Sequence, residues 1–196
     1  ALNNYQKTLA PDKTPIRQRG ASYAFLMCKE DKALRAKEQE VVENIFNHIA
    51  EYNLQNGDKK TVVGCQLTNE PAVARMHGGD HKYNERCYCN ICEAKYNSFI
   101  ENGKTAQDYR DDVMWNYQNS IAEAVKISDY SVWTRTNNYG GTDANLVEYN
   151  EKMRNAENGT SIDFIGYDPY TEDTSYLYNF GHGISKMTKV SVDYSQ

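Results

Sequence analysis

Glu70 closes the run Thr61-Val62-Val63-Gly64-Cys65-Gln66-Leu67-Thr68-Asn69-Glu70, and Pro71 follows it at once. The first half is the β-branched, apolar kind of stretch that forms a strand buried on both faces, and its end turns abruptly polar. That pattern sets a carboxylate and an amide at the C-terminal end of a strand. In α/β folds ligands bind and catalytic groups sit at that edge, because loops there can vary without disturbing the core. A second chemical group is Cys87-Tyr88-Cys89-Asn90-Ile91-Cys92. Five cysteines are an odd number, and a C-x-C-x-x-C cluster offers poor Cα separations for disulfides. Crowded thiolates suit a soft metal, and zinc is the better reading.

The elements that must hold these groups follow from periodicity. Residues 1 to 14 are polar and contain Pro11, which predicts a loop or a frayed leader. Residues 16 to 25 alternate polar and apolar and read as a strand, with Gly20 as a bulge. Residues 31 to 53 carry Leu34, Val41, Val42, Ile45, Phe46 and Ile49 at helical spacing, and Asn56-Gly57 ends that helix. After Pro71 comes a polar insertion to residue 86 with Gly78-Gly79. His77 and His81 lie in that Gly-rich stretch, where a surface role fits them better than metal binding.

A short helix over residues 93 to 100 precedes Thr105-Ala106-Gln107-Asp108, which resembles a capping box opening a helix to about Ile127. Val113, Tyr117, Ile121 and Val125 mark its buried face. Residues 130 to 135 and 161 to 167 read as strands, with a helix over 145 to 156 between them. Cys65, inside its strand, reads as a small core residue. Strands alternating with helices predict parallel βαβ units. No Gly-rich phosphate loop favours a doubly wound sheet.

The whole chain, 196 residues of which 39% are hydrophobic, is enough for one core and one domain. Its net charge of −5 comes from mixed acidic and basic residues, with no basic stripe for a phosphate backbone, so nucleic acid is not expected as a partner. The apolar runs are far short of a membrane span, so no membrane is expected either. The N-terminus has no apolar signal core, and the expected location is secreted or periplasmic with a signal removed, the cytoplasm being the alternative. Sixteen tyrosines against five phenylalanines suit a sugar-binding cleft, although most would serve helix surfaces and strand edges equally well.

GCQLTNEP resembles the fourth-strand motif of the clan A glycoside hydrolases, in which an Asn-Glu pair ends the strand and the Glu is the acid/base. RQRGASY looks like their third strand and SIDFIGYDPY like their sixth. Cys28, then NEP, then CYCNICEAKYNSFIENG is similar to the family 42 β-galactosidases, whose zinc is held by one Cys after strand three and a C-x-C-x-x-C after strand four. Relatives of the same clan from gut bacteria are an alternative match. The resemblance spans about residues 15 to 170.

The resemblance implies a (β/α)8 barrel of the TIM type, present here in part: strands three to six, with residues 189 to 193 as a candidate seventh. A full barrel takes about 250 residues. Open strand edges in a partial barrel would favour self-association. It implies a retaining hydrolase of β-glycosides, β-galactosidase-like, with a carbohydrate substrate, Glu70 as acid/base and Asn69 on the sugar 2-hydroxyl. The competing readings are an endo-acting hydrolase of plant polysaccharides, cellulase-like or xylanase-like, and a non-catalytic carbohydrate-binding fragment. The clan's nucleophile is a second Glu ending strand seven, but no glutamate follows Glu172, which leaves Asp193 as the candidate.

Cys28, Cys87, Cys89 and Cys92 would hold a structural zinc. Trp133, Asn137, Tyr167, Asp168 and Tyr170, at or near strand ends, are the candidate sugar-binding wall. Of Arg17 and Arg19, one is expected to point inward and orient a carboxylate, with Arg19 the chosen substrate-site residue.

Overall fold

The computed structural model describes residues 4 to 17, 24 to 69, 73, 86 to 138 and 159 to 167. Helix α1, Lys32–Gln55, starts where the Asp31 carboxylate accepts from the backbone N–H of Ala33 and Leu34, at 2.9 and 3.2 Å. It stops at Asn56, where Gly57 takes the left-handed φ of 81° that a side chain would resist. Strand β1, Gly64–Asn69, leads to helix α2, Asn90–Glu101, and helix α3, Ala106–Ile127. Strands β2, Trp133–Asn138, and β3, Phe164–Tyr167, follow. At the head of α3 the Thr105 hydroxyl and the Asp108 carboxylate form the expected capping box.

The three strands are parallel and lie in the order β1-β2-β3. Among the described residues sheet order follows chain order, and helices α2 and α3 lie in the crossover from β1 to β2, as in a parallel βαβ unit. Helix α3 lies against the sheet with Val113, Met114, Ile121, Ala122 and Val125 buried, and α1 packs on α3. Gln39 Nε2 donates to Ser120 O at 2.9 Å across that helix pair. A second apolar cluster joins Phe46 of α1 to Val125, Tyr130 and Val132, with half-buried Cys65 and Leu67 of β1 against it. Among the described residues no helix is long and apolar enough to cross a membrane.

The two ends of the strand expected over residues 16 to 25 run in opposite directions, because Arg17 and Phe25 are antiparallel bridge partners. Lys7 pairs with Met27 and Leu9 with Pro15 in the same sense. Three short stretches, each bridged to both of the others, thus form a small antiparallel knot of backbone hydrogen bonds. Residues 4 to 13 lack a helix or extended strand, as a loop would, but they are not frayed: Thr8 and Ala10 are buried, and Thr8 N–H donates to Leu26 O at 2.8 Å.

Strand β1 was expected to be buried on both faces, yet its residues alternate between exposed and half-buried. Among the described residues it pairs with β2 alone, and only the face toward the helices is covered. On α1 the expected apolar stripe is too wide. Leu34 and Phe46 are buried, whereas Val41 is 47% and Ile45 52% exposed, because α3 covers only part of the stripe. The helix expected over 145 to 156 and most of the insertion from 72, including His77 and His81, lie outside the described residues.

Candidate functional site

The β1–β2 pair builds one polar face. Gln66 stands opposite Arg135 and Asn69 opposite Asn137, and the register shifts between Gln66 and Asn69. In a regular strand these two residues, three positions apart, would point to opposite faces; the irregularity brings both to the one away from the helices. Leu67 and Thr68 correspondingly both turn to the helices, Leu67 into the core and Thr68 to within 3.1 Å of Gln118 Nε2 on α3.

On the face away from the helices Arg135 Nη2 donates to Asn137 Oδ1 at 3.3 Å, and Asn137 Nδ2 donates to Asn69 Oδ1 at 2.8 Å. Gln66 Nε2 reaches the same Asn69 oxygen at 3.2 Å. With its oxygen taken twice, Asn69 has its Nδ2 left among the described contacts to donate to a ligand. Asn137 is buried and fixed, while Asn69 and Gln66 are exposed.

Asn69 and Asn137 therefore meet at the strand ends, as their positions in the sequence suggest. Gln66 and Arg135 complete the chain of bonds. They were not singled out from the sequence, although each is a polar residue inside a strand-forming stretch. Trp133 does not belong to this group. It begins β2 rather than ending it, opposite Gly64, and is 62% exposed. Four residues of strand, about 13 Å, separate it from Asn137.

Tyr167 ends β3, in register with Asn138, which places its backbone at the expected edge. Arg17 is exposed, with its guanidinium over the Phe25 ring at 5.0 Å from the centroid. Glu70 directly follows Asn69 in the chain; with Arg19, Asp168, Tyr170 and Asp193 it lies outside the described residues.

The second group is a cluster of four cysteines. Cys28, Cys87, Cys89 and Cys92 are each at most 3% exposed, and their sulfurs all lie within 4.8 Å of one another. Cys28 Sγ is 3.8 Å from Cys89 Sγ and 3.4 Å from Cys92 Sγ. These are non-bonded separations; all four cysteines are free thiols. A tetrahedron with metal–sulfur bonds of about 2.3 Å has edges of about 3.8 Å. The set is therefore already close to the size a four-coordinate cation of the zinc type requires.

Local structure explains why they converge. Cys28 closes the last of the three bridged stretches, its N–H donating to Gln6 O at 2.9 Å. Cys89 is the N-cap of α2 and Cys92 lies in its first turn, where the helix dipole favours thiolate over thiol. Cys87 accepts a hydrogen bond from Leu9 N–H at 3.3 Å, and Tyr88 N–H donates to Leu9 O at 2.9 Å.

The protons of the four thiols are unevenly held. Hydrogen bonds with Cys87, Cys89 and Cys92, with burial added, push Cys28 up, whereas Cys89 is held low by the hydrogen bond from Cys28 and by those of the other two. Four thiolates can coexist only around a cation.

Charges brace the loop that follows Cys28. Glu30 bonds Arg35 of α1 at 2.8 Å and Lys95 of α2 at 3.0 Å, and Lys95 reaches Asp112 of α3 at 2.8 Å. One short polar chain therefore ties the Cys28 loop to all three helices.

No family model matches this chain, and no curated protein sequence matches it. Among solved structures it is similar in fold to a polyextremophilic β-galactosidase from the Antarctic haloarchaeon Halorubrum lacusprofundi. The TM-score is 0.58 at 16% sequence identity, over 86% of this chain and 27% of that one. The chain thus spans about a quarter of the length of that enzyme.

Proposed function

We propose that this chain forms part of the catalytic barrel of a retaining glycoside hydrolase acting on β-glycosides, with β-galactosides as the substrate class. The observation that carries the reading is the Asn137–Asn69 bond at the C-terminal strand ends, on the face away from the helices, with a glutamate next in sequence. The fold likeness to a β-galactosidase supports it.

In this reading Asn69 Nδ2 donates to the sugar 2-hydroxyl, a contact that strengthens as positive charge develops at the anomeric carbon. Arg135 and Asn137 hold the amide in the orientation that presents that donor. Glu70, protonated, delivers its proton to the glycosidic oxygen while a second carboxylate about 5 to 5.5 Å away attacks the anomeric carbon. The aglycone leaves as an alcohol and the sugar is held as an ester. Glu70, now ionised, takes a proton from water, whose oxygen displaces the carboxylate and releases the sugar. Within this chain Asp193 is the candidate for the second carboxylate. Cys28, Cys87, Cys89 and Cys92 would hold zinc as a closed set of four thiolates, supplying folding energy and no chemistry.

The test is hydrolysis of aryl β-galactosides by the protein and by Glu70→Ala. Loss of an acid/base group costs about 10²- to 10⁴-fold on a substrate with a poor leaving group. A substrate with an activated phenol needs no protonation, so added azide should restore turnover in Glu70→Ala and yield a β-galactosyl azide. Equal rates in the two proteins would sink the assignment of Glu70. No turnover by the wild type, together with sugar binding, would favour a carbohydrate-binding role.

A further inference from the structure

Three Asn-Gly pairs occur in the chain, Asn56-Gly57, Asn102-Gly103 and Asn158-Gly159. The first two end α1 and α2, while Asn158 lies outside the described residues. Those two are closely matched. Each Asn is an exposed C-cap whose Nδ2 donates to a carbonyl one turn back, Asn56 to Tyr52 O at 2.8 Å and Asn102 to Ser98 O at 2.7 Å. Each Gly is exposed and left-handed, with φ of 81° at Gly57 and 74° at Gly103, and a Cβ on either would meet no atom within 4 Å.

The pairs differ at the glycine nitrogen. Gly103 N–H donates to Ile100 O at 2.9 Å. At the end of α1 the bonding skips Gly57: Asn56 N–H and Asp58 N–H both reach Asn53 O, at 3.1 and 2.7 Å, and Gly57 N–H has no acceptor among the described contacts.

That nitrogen is the nucleophile of a reaction that needs only water and hydroxide. Once hydroxide has removed its proton, it attacks Asn56 Cγ. The N–Cγ bond forms and the Cγ–Nδ2 bond breaks; the leaving nitrogen takes a proton from water, departs as ammonia and restores the hydroxide. Residues 56 and 57 then share a succinimide ring. Water opens the ring at Cγ to give an aspartate, or at the backbone carbonyl to give an isoaspartate, with no change of oxidation state. An N–H held in a hydrogen bond resists the first step, for the reason that it resists hydrogen exchange.

We propose that Asn56 is a deamidation site of this chain, favoured over Asn102 by the unbonded Gly57 N–H, and that its conversion loosens the end of α1. The carboxylate formed cannot donate to Tyr52 O, and it stands at the negative end of the helix dipole. The site lies in the connection that carries the chain from α1 to β1.

The experiment incubates the full chain at mildly alkaline pH, native and in concentrated urea, and follows the peptides holding Asn56 and Asn102 by mass spectrometry. In the native protein Asn56 should convert about tenfold faster than Asn102, the factor that one ordinary hydrogen bond supplies. In urea the two should convert at similar rates, and Asn56→Gln should abolish the fast native conversion. Hydrogen exchange reads the same cause without the covalent step: Gly57 N–H should exchange faster than Gly103 N–H. Equal native rates, a preference for Asn56 that persists undiminished in urea, or a protected Gly57 N–H overturns the assignment. Asn56→Asp should unfold at a lower urea concentration than the unmodified wild type, and an unchanged midpoint overturns the loosening of α1.

Discussion

Asp163, just ahead of β3, should act as an electrostatic pin whose contribution is switched off by acid. Its Oδ2 accepts from Lys126 Nζ at 2.6 Å, from Thr134 N–H at 2.9 Å and from the Thr134 hydroxyl at 3.2 Å. One oxygen thus ties the last turn of α3 to the beginnings of β2 and β3. Burial alone would raise its pKa, but the bonds from Lys126 and Thr134 outweigh burial and hold it below the usual carboxylate range.

In Asp163→Asn an amide oxygen can still accept from Thr134, while the charge facing Lys126 is lost and Lys126 retains Val132 O at 2.7 Å. Hydrogen bonds to charged groups contribute about 1.5 to 3 kcal/mol. The two side chains are 27% and 34% exposed, so solvent screening reduces this toward the lower end, about 1.5 kcal/mol. With a urea slope of about 2 kcal/mol per molar, the unfolding midpoint should fall by about 0.7 M at pH 7 without a change in slope.

The sign with pH follows from the depressed folded-state pKa. The stabilisation is fully present above the unfolded value of about 3.9, and it disappears as pH falls through the lower folded value. Urea titrations of both proteins from pH 7 down to 2.5 should therefore converge. A gap that persists undiminished at the acid end, or none at pH 7, would refute the electrostatic account.

Two further outcomes are expected. If the four thiols hold zinc as proposed, the wild type should carry one equivalent and Cys89→Ser a small fraction of it, read by elemental analysis, with a lower thermal midpoint. Thr105→Ala removes the reciprocal cap of α3 and should cost about 1 kcal/mol in denaturant unfolding, with metal content unchanged.

The helices were legible because their signals are local. Asp31, Asn56-Gly57 and the Thr105–Asp108 box act within one turn of themselves, and each sits at the boundary it predicts. The strands were found but were read about three residues early. Their visible apolar residues Val62, Val132 and Ile162 are lead-ins that pack against the helices, while Val63 is exposed. The residues that pair, such as Gln66, Asn69, Thr134 and Asn137, are polar.

The N-terminal bridges were missed because isolated antiparallel bridges depend on partners up to about twenty residues away, which no local pattern announces. The irregularity in β1 escaped for a related reason: it is a property of the pair and not of the strand. Cys87, Cys89 and Cys92 are visible as a set from spacing alone. Cys28 entered only through resemblance, and the structure brings its sulfur to the other three.

That difference between local and distant cysteines has a thermodynamic corollary. Cys87, Cys89 and Cys92 sit within six positions of one another, so a chain without any fold can still offer three of the four sulfurs to an ion. Cys28 is 61 positions from Cys89 and 64 from Cys92. Closing a loop of that length costs about 3.6 kcal/mol or more. In the native protein α1 and β1 span the loop, and folding has already met that cost. An ion stabilises the native state only by the excess of its native over its unfolded affinity. For an ion held by these four thiolates, much of that excess would rest on Cys28, the sulfur that can register whether the intervening chain has folded.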